Sequence, residues 1–222
     1  MTGARSASQA ESQPAISSVG VLRWQDERDA AEVLACAFLD DPLVMAICSA
    51  PDMERQRRIW WSFRVAVRGH SLSGQPAWTI TGATGKVVGV VLVTRPRPLM
   101  HPRRSDALFA LRGFMHLGAR SVLRGIKAAR TIALQAPSPP FTYLRTLGVH
   151  PAFQGSGLGS RLVEQVIRTA SAALPLYLET AKEQNLTFYA RHGFERVGDF
   201  RCLGIRVWRL LRPAGAEMGR RT

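Results

Sequence analysis

Several residue types and patterns are scarce in this chain. Its 222 residues hold three cysteines, Cys36, Cys48 and Cys202, far apart and without metal-ligand spacing. This excludes a disulfide scaffold and a metal site of the paired-cysteine kind; the thiols read as buried residues of a reducing compartment. No uninterrupted apolar run reaches membrane-spanning length, and the N-terminus lacks the apolar core of a signal peptide. The expectation is a cytoplasmic protein with no membrane partner. Acids are few, 16 Asp and Glu against 30 Lys and Arg, for a net charge of +14. Such an excess raises the question of a nucleic-acid surface. The arginines are spread along the chain, however, and no basic run is interleaved with aromatics. A general surface excess is therefore the reading, and nucleic acid is not an expected partner.

The remaining composition suits one domain with a sizeable core. Residues 1–18, rich in Ser, Ala, Gln and Gly, read as a tail, as do 212–222. A single domain over 19–211 lies between them. Its periodicities predict a strand from Val19 to Trp24 and an amphipathic helix from Glu27 to Phe38, broken by Asp40-Asp41-Pro42. A second helix runs from about Asp52 to His70, and Ala77 to Thr81 with Lys86 to Thr94 forms a hairpin. Val87 to Val93 is nearly all apolar, as in a strand buried on both faces. A proline-bracketed insertion, 95–140, carries two helical patterns, Ser105 to Leu117 and Arg120 to Gln135. Leu108, Leu111, Phe114 and Met115 mark one apolar face; Val122, Leu123, Ile126 and Ile132 mark the other. A strand from Phe141 to Val149, a helix from Gly157 to Ala173, a short strand Leu176 to Thr180 and a helix from Asn185 to His192 follow. Phe194 to Arg201 and Leu203 to Leu211 close the domain as a hairpin.

The most informative stretch is Leu147-Gly148-Val149-His150-Pro151-Ala152-Phe153-Gln154-Gly155-Ser156-Gly157-Leu158-Gly159-Ser160. It reads as the end of a strand, a turn, glycines spaced two apart and the start of a helix. Such glycines let the backbone turn sharply and approach a ligand, with N–H groups converging where a helix N-terminus favours phosphate. A pyrophosphate-containing ligand is implied. A P-loop would need Lys-Ser/Thr after the last glycine, and Ser160-Arg161 stands there. A dinucleotide fold would use Glu179, about 20 residues on, as its ribose-binding acid. Against it, the third glycine falls one position early and five residues, His150 to Gln154, separate strand from glycines.

Gln154-Gly155-Ser156-Gly157-Leu158-Gly159 resembles the Gln/Arg-x-x-Gly-x-Gly/Ala signature of the GNAT superfamily of N-acetyltransferases. Leu178-Glu179-Thr180, Asn185 to Tyr189 and His192-Gly193-Phe194 carry the second half of the resemblance at the family's separation. It covers about 142–210 well, and Leu176 to Phe194 is most similar to the puromycin N-acetyltransferase group. The resemblance implies an α/β (α+β) GNAT-type acyl-CoA N-acyltransferase fold, a mixed, mostly antiparallel sheet flanked by helices. It implies an acetyl-CoA-dependent N-acetyltransferase without metal, acting on a primary amine of a small molecule by direct attack in a ternary complex. Protein or peptide acetylation, and a catalytically silent nucleic-acid-binding relative, are the alternatives. A homodimer is one option for assembly.

The resemblance also implies site roles. Gln154, Gly155, Ser156, Gly157, Leu158, Gly159 and Ser160 would hold acetyl-CoA, Asn185 would bond its pantetheine arm, and Leu147, Gly148 and Val149 would offer backbone donors to the oxyanion. Tyr189 corresponds to the family's tyrosine that protonates the leaving thiolate. Asn185, as an early helical residue, could instead cap its helix. The general base stays open. Thr142 to Val149 holds no acid, His150 reads as a turn residue, and Glu179, Asp40 or Asp41 could each reach an amine through water. The insertion is expected to shape a partly apolar acceptor pocket, with Leu111, Phe114 and Met115 as a wall.

Overall fold

The computed structural model describes residues 18–96, 113–138 and 140–216. In chain order its elements are β1 (Val19–Val21), α1 (Glu27–Ala37), α2 (Pro42–Ile47), α3 (Asp52–Leu72), β2 (Ala77–Thr81), β3 (Val87–Thr94), α4 (Ala119–Gln135), β4 (Thr142–Val149), α5 (Leu158–Thr169), β5 (Leu176–Thr180), α6 (Gln184–Ala190), β6 (Glu195–Cys202) and β7 (Ile205–Arg212). The strands form one sheet in the order β1-β2-β3-β4-β5-β7-β6. All neighbours are antiparallel except β4 and β5. The mixed, mostly antiparallel sheet that the resemblance implies is the one observed.

Helices cover both faces, which is why β3 is apolar along its length. Val91 and Val93 pack with Leu158, Leu162, Val163 and Val166 of α5 on one face. Val90 and Leu92 pack with Ala30, Ala31 and Leu34 of α1 and Ile59, Phe63 and Val67 of α3 on the other. A bulge at the start of β3 adjusts the phase: Ile80 pairs with Gly89 and Thr81 with Val87, leaving Val88 unpaired. One extra residue rotates the strand so that Val88 joins the α5 side.

Three regions differ from the sequence reading. Asp40-Asp41-Pro42 ends α1 as expected but also starts α2: the Asp41 carboxylate accepts from Leu43 N and Val44 N, both at 3.0 Å, with Pro42 at the first helical position. That arrangement is a helix start rather than a simple break. Arg212, assigned to the tail, ends β7, is buried, and donates through Nε to His192 O at 3.1 Å. In the insertion, α4 packs through small residues instead of its large apolar ones. Ser121 and Ala128 are buried, and a Cβ on Gly125 would stand 3.8 Å from Ile47. Small side chains let α4 sit close on α2, and this turns Leu123 and Ile126 outward, 67% and 46% exposed. Arg124 ties the two helices by donating to Ala46 O at 3.3 Å, and Arg58 reaches Ser121 Oγ at 3.2 Å. Residues 113–117 are helical and anchored to α3 by the stacked rings of His116 and Trp61, 4.3 Å apart. Leu108, Leu111 and the rest of 97–112 lie outside the described residues.

His70 fastens the end of α3 to the sheet. Its imidazole is 4% exposed, and Nε2 lies 3.0 Å from Pro76 O, so the neutral ring donates there. Burial, and the charge of Arg145, hold its pKa below the ordinary value, while the Pro76 carbonyl acts in the opposite direction. Unfolded, the ring titrates near about 6.5. Below that pH the unfolded chain binds a proton that the folded one resists, so stability falls with pH until the folded value is reached. His70→Gln keeps an amide donor but cannot titrate. Denaturant midpoints compared between pH 7.5 and pH 5.5 should decline more for the parent than for the variant. Parallel profiles would show that His70 does not contribute.

Candidate active site

The parallel pair β4 and β5 is joined only by Thr142↔Leu176 and Tyr143↔Tyr177. Beyond it, β4 continues to Val149 and β5 to Thr180 with no ladder between them. Two contacts draw the end of β4 away. On its other edge it stays paired with β3, Leu147 to Val91 and Gly148 to Val90. Gly148 also lies so close to α1 that a Cβ there would stand 2.7 Å from Leu34 Cδ2. Aromatic residues of α6 fill the root of the gap. Tyr189 is 7% exposed and packs between Phe188 and Phe194, with ring centroids 5.0 Å and 5.7 Å away.

A cavity of about 490 Å³ runs along this gap and over the glycine loop. Gly155 and Gly157 have φ of +79° and +82°, the left-handed region that favours glycine. Nothing would crowd a Cβ at either, so the requirement is conformational. Gly159 is the reverse: its first-turn backbone lies 3.3 Å, measured from a virtual Cβ, from Phe188 Cζ. Gln154 Nε2 donates to Val149 O at 3.0 Å, pinning the loop to the strand it leaves. No side chain caps α5, so the N–H groups of its first turn face the cavity free for an anion.

Leu147, Gly148, Val149, Gln154, Gly155, Gly157, Leu158, Gly159, Ser160, Asn185 and Tyr189 all line this cavity. Ser156 does not: its hydroxyl turns back to donate to Phe153 O at 2.5 Å. Asn185 is not a side-chain cap; its amide donates to Thr180 Oγ1 at 3.0 Å and ties α6 to the end of β5. Lys182 and Arg191 also line the cavity and were passed over in the sequence, where charge alone singles out no residue of an arginine-rich chain.

A second cavity, about 210 Å³, opens on the far side of Tyr189. Phe38, Asp41, Leu147, Asn185 and Tyr189 border both. Burial pushes the Tyr189 phenol well above its ordinary pKa, so it stays protonated. Of the insertion, α4 supplies Ile132 to the second cavity. Phe114 and Met115, expected to wall it, are instead 49% and 72% exposed and border neither space, because 113–117 packs on α3 through His116.

The candidate bases separate by their partners. Asp40 is exposed and ion-paired with Lys182 Nζ at 2.5 Å, which holds its carboxyl below the usual range. Asp41 is committed to capping α2. His150 accepts from Ala152 N at 3.3 Å through Nδ1, the turn role expected of it. Glu179 borders the second cavity, and its Oε1 is buried with no hydrogen-bond partner among the described residues. Burial raises the Glu179 pKa, opposed by the Tyr143 and Tyr177 hydroxyls beside it and by Arg209. Among the described residues, no group of three or more His, Cys, Asp or Glu comes together that could hold a metal ion.

Residues 121–196 match the model of the acetyltransferase (GNAT) domain. The chain is 36% identical over 85 residues to the N-alpha-acetyltransferase RimI of Mycobacterium tuberculosis, covering 35% of this chain and 53% of RimI. It is 40% identical over 63 residues to the uncharacterized protein ML0378 of Mycobacterium leprae, covering 28% and 18%. The chain thus spans about half the length of RimI and less of the second relative. A Corynebacterium glutamicum structure described as histone acetyltransferase HPA2 and related acetyltransferase superposes with a TM-score of 0.66 at 21% identity, over 93% of this chain and 99% of that one. Arylalkylamine N-acetyltransferase 2 of Aedes aegypti superposes at 0.57 and 13% identity, over 90% and 99%. With the parted strands and the glycine loop, the chain has a GNAT fold, and within it residues 121–196 are similar to the GNAT acetyltransferase domain.

Proposed function

We propose that this protein transfers the acetyl group of acetyl-CoA to a primary amine of a small molecule, by direct attack within a ternary complex. The observation that carries the reading is the junction of two cavities at Tyr189 and Leu147. The larger suits a pyrophosphate at the α5 N-terminus and a pantetheine arm along β4. The smaller suits an acceptor. At the junction the amine nitrogen bonds to the thioester carbonyl carbon, and the oxyanion meets backbone N–H groups of Leu147 to Val149. The C–S bond then breaks, and Tyr189 gives its phenolic proton to the departing thiolate. Glu179, through a water, takes the proton that the amine nitrogen loses. Its raised pKa makes it a better base than an ordinary carboxylate.

The likeness of Leu176 to Phe194 to the puromycin N-acetyltransferase group supports a small-molecule acceptor, as does the small volume of the second cavity, to which α4 contributes Ile132. The similarity to RimI favours a second reading, a protein N-terminus as acceptor. Thiol release from acetyl-CoA, compared across small amines and short peptides, tests both. Faster release with peptides would overturn the small-molecule acceptor. The three cysteines, all free, are in keeping with a cytoplasmic site of action.

Gly157→Asp sets a side chain and a negative charge where the pyrophosphate would approach, at a φ that resists any side chain. Coenzyme A affinity should fall more than tenfold, about 1.4 kcal/mol; unchanged calorimetric binding would remove the loop from the site. Tyr189→Phe should lower kcat by roughly 10²-fold with coenzyme A binding nearly intact. A kcat within about twofold of the parent would make Tyr189 a packing residue. Glu179→Gln should lower kcat/KM by roughly 10²-fold. In the parent, activity should fall as pH drops through the raised Glu179 pKa, because protonation removes the base. That limb should vanish in Glu179→Gln, and its survival there would assign it to another group.

A further inference from the structure

The two cavities at Tyr189 differ in character. The larger is walled by backbone and polar side chains of the glycine loop. The smaller is walled by Phe63 of α3, Leu43 and Val44 of α2, Val207 of β7 and Ile132 of α4. Its charged neighbours are accounted for in three ways. Asp41 caps α2 through Oδ1. Arg145 is exposed, though its charge still acts on His70 and Tyr143. Glu179, beside Tyr143, has one buried oxygen with no partner among the described residues. The chamber thus joins a largely apolar wall to two carboxylates, Asp41 and Glu179. Ile132 comes from α4, which Arg209 of β7 ties down by donating to Gln135 O at 2.9 Å.

We infer that the acceptor is a primary amine borne on a compact apolar group, about the size of one aromatic ring with a short stem. The group seats against Phe63 and Ile132, and Ile132 sets the largest one admitted. The inference rests on the acetyl-transfer reading and adds to it the acceptor's class and a specificity-determining residue. Size supports it. An apolar cavity of roughly 150 Å³ holds benzene, so about 210 Å³ leaves room for a ring and a short stem. Chemistry supports it too. The Glu179 oxygen without a partner among the described residues favours an amine or its ammonium, and Phe63, Leu43, Val44, Val207 and Ile132 favour an apolar substituent. In such a pocket, a fit differing by one methylene is worth roughly 10- to 200-fold in kcat/KM.

The test is steady-state thiol release from acetyl-CoA with ethanolamine, ethylamine, phenethylamine, 2-(1-naphthyl)ethylamine and an unblocked tetrapeptide. The parent should prefer phenethylamine to ethylamine and ethanolamine by more than tenfold. Ile132→Trp, which fills the chamber, should reduce the phenethylamine-to-ethylamine ratio by about tenfold or more. Ile132→Ala, which enlarges it and strains nothing, should raise the naphthyl-to-phenyl ratio. A peptide or ethanolamine preferred over phenethylamine, or ratios unmoved in both variants, would overturn the inference while acetyl transfer stands. No thiol release with any acceptor would overturn the acetyl-transfer reading, and the inference with it.

Discussion

The brevity of the β4–β5 ladder is the constraint on which the rest of the site depends. Parallel neighbours ordinarily share their backbone hydrogen bonds along their length, and here only two residue pairs do so. The backbone groups released beyond Tyr143 would be costly if sealed in an apolar core. They are tolerable because the gap opens into a cavity. That cavity supplies both the space for a ligand and the polar groups to hold it. Gly148, pressed against α1, and the aromatics of α6, lodged at the root of the gap, keep the strands from closing.

The same opening sorts the polar residues. Groups that the fold needs for itself are bonded within it: Asp41 to the start of α2, His70 to Pro76, Asn185 to Thr180. Glu179 Oε1 has no such partner among the described residues. A buried carboxylate oxygen without a donor is unfavourable, and its position on a cavity makes a ligand or a water the natural remedy. Burial raises the Glu179 pKa and that of its Tyr143 and Tyr177 neighbours alike. All three therefore favour their protonated forms relative to the same groups in water.

The elements were legible where one local pattern decides them. The both-faces-buried run of β3, the amphipathic helices α1 and α5, and the glycine loop are each written in a few consecutive residues. The loop was readable because positive φ at Gly155 and Gly157 restricts those positions to glycine. Features set by distant contacts were not. The start of α2 had a signal, Asp41 before Pro42, but the same pair also ends a helix, and only the carboxylate's partners decide between them. The face that α4 buries follows from its closeness to α2 and not from its own apolar residues. Ile132, rather than Phe114 or Met115, therefore meets the cavity. The four candidate bases could not be ranked from sequence, since what separates them is the cap of Asp41, the lysine beside Asp40, the turn held by His150 and the open oxygen of Glu179.

The Lys182–Asp40 pair carries a consequence of its own. It joins the loop after α1 to the loop after β5, residues 142 apart in sequence, beside the rim of the larger cavity. Lys182 is mostly covered, 18% exposed, whereas Asp40 is 78% exposed. A pair so open to water is screened by salt and contributes about 1 kcal/mol or less. Such a fastening is reversible at ordinary temperature. It holds two margins of the cleft in register without locking them, and it leaves Lys182 able to exchange the Asp40 carboxylate for another anion.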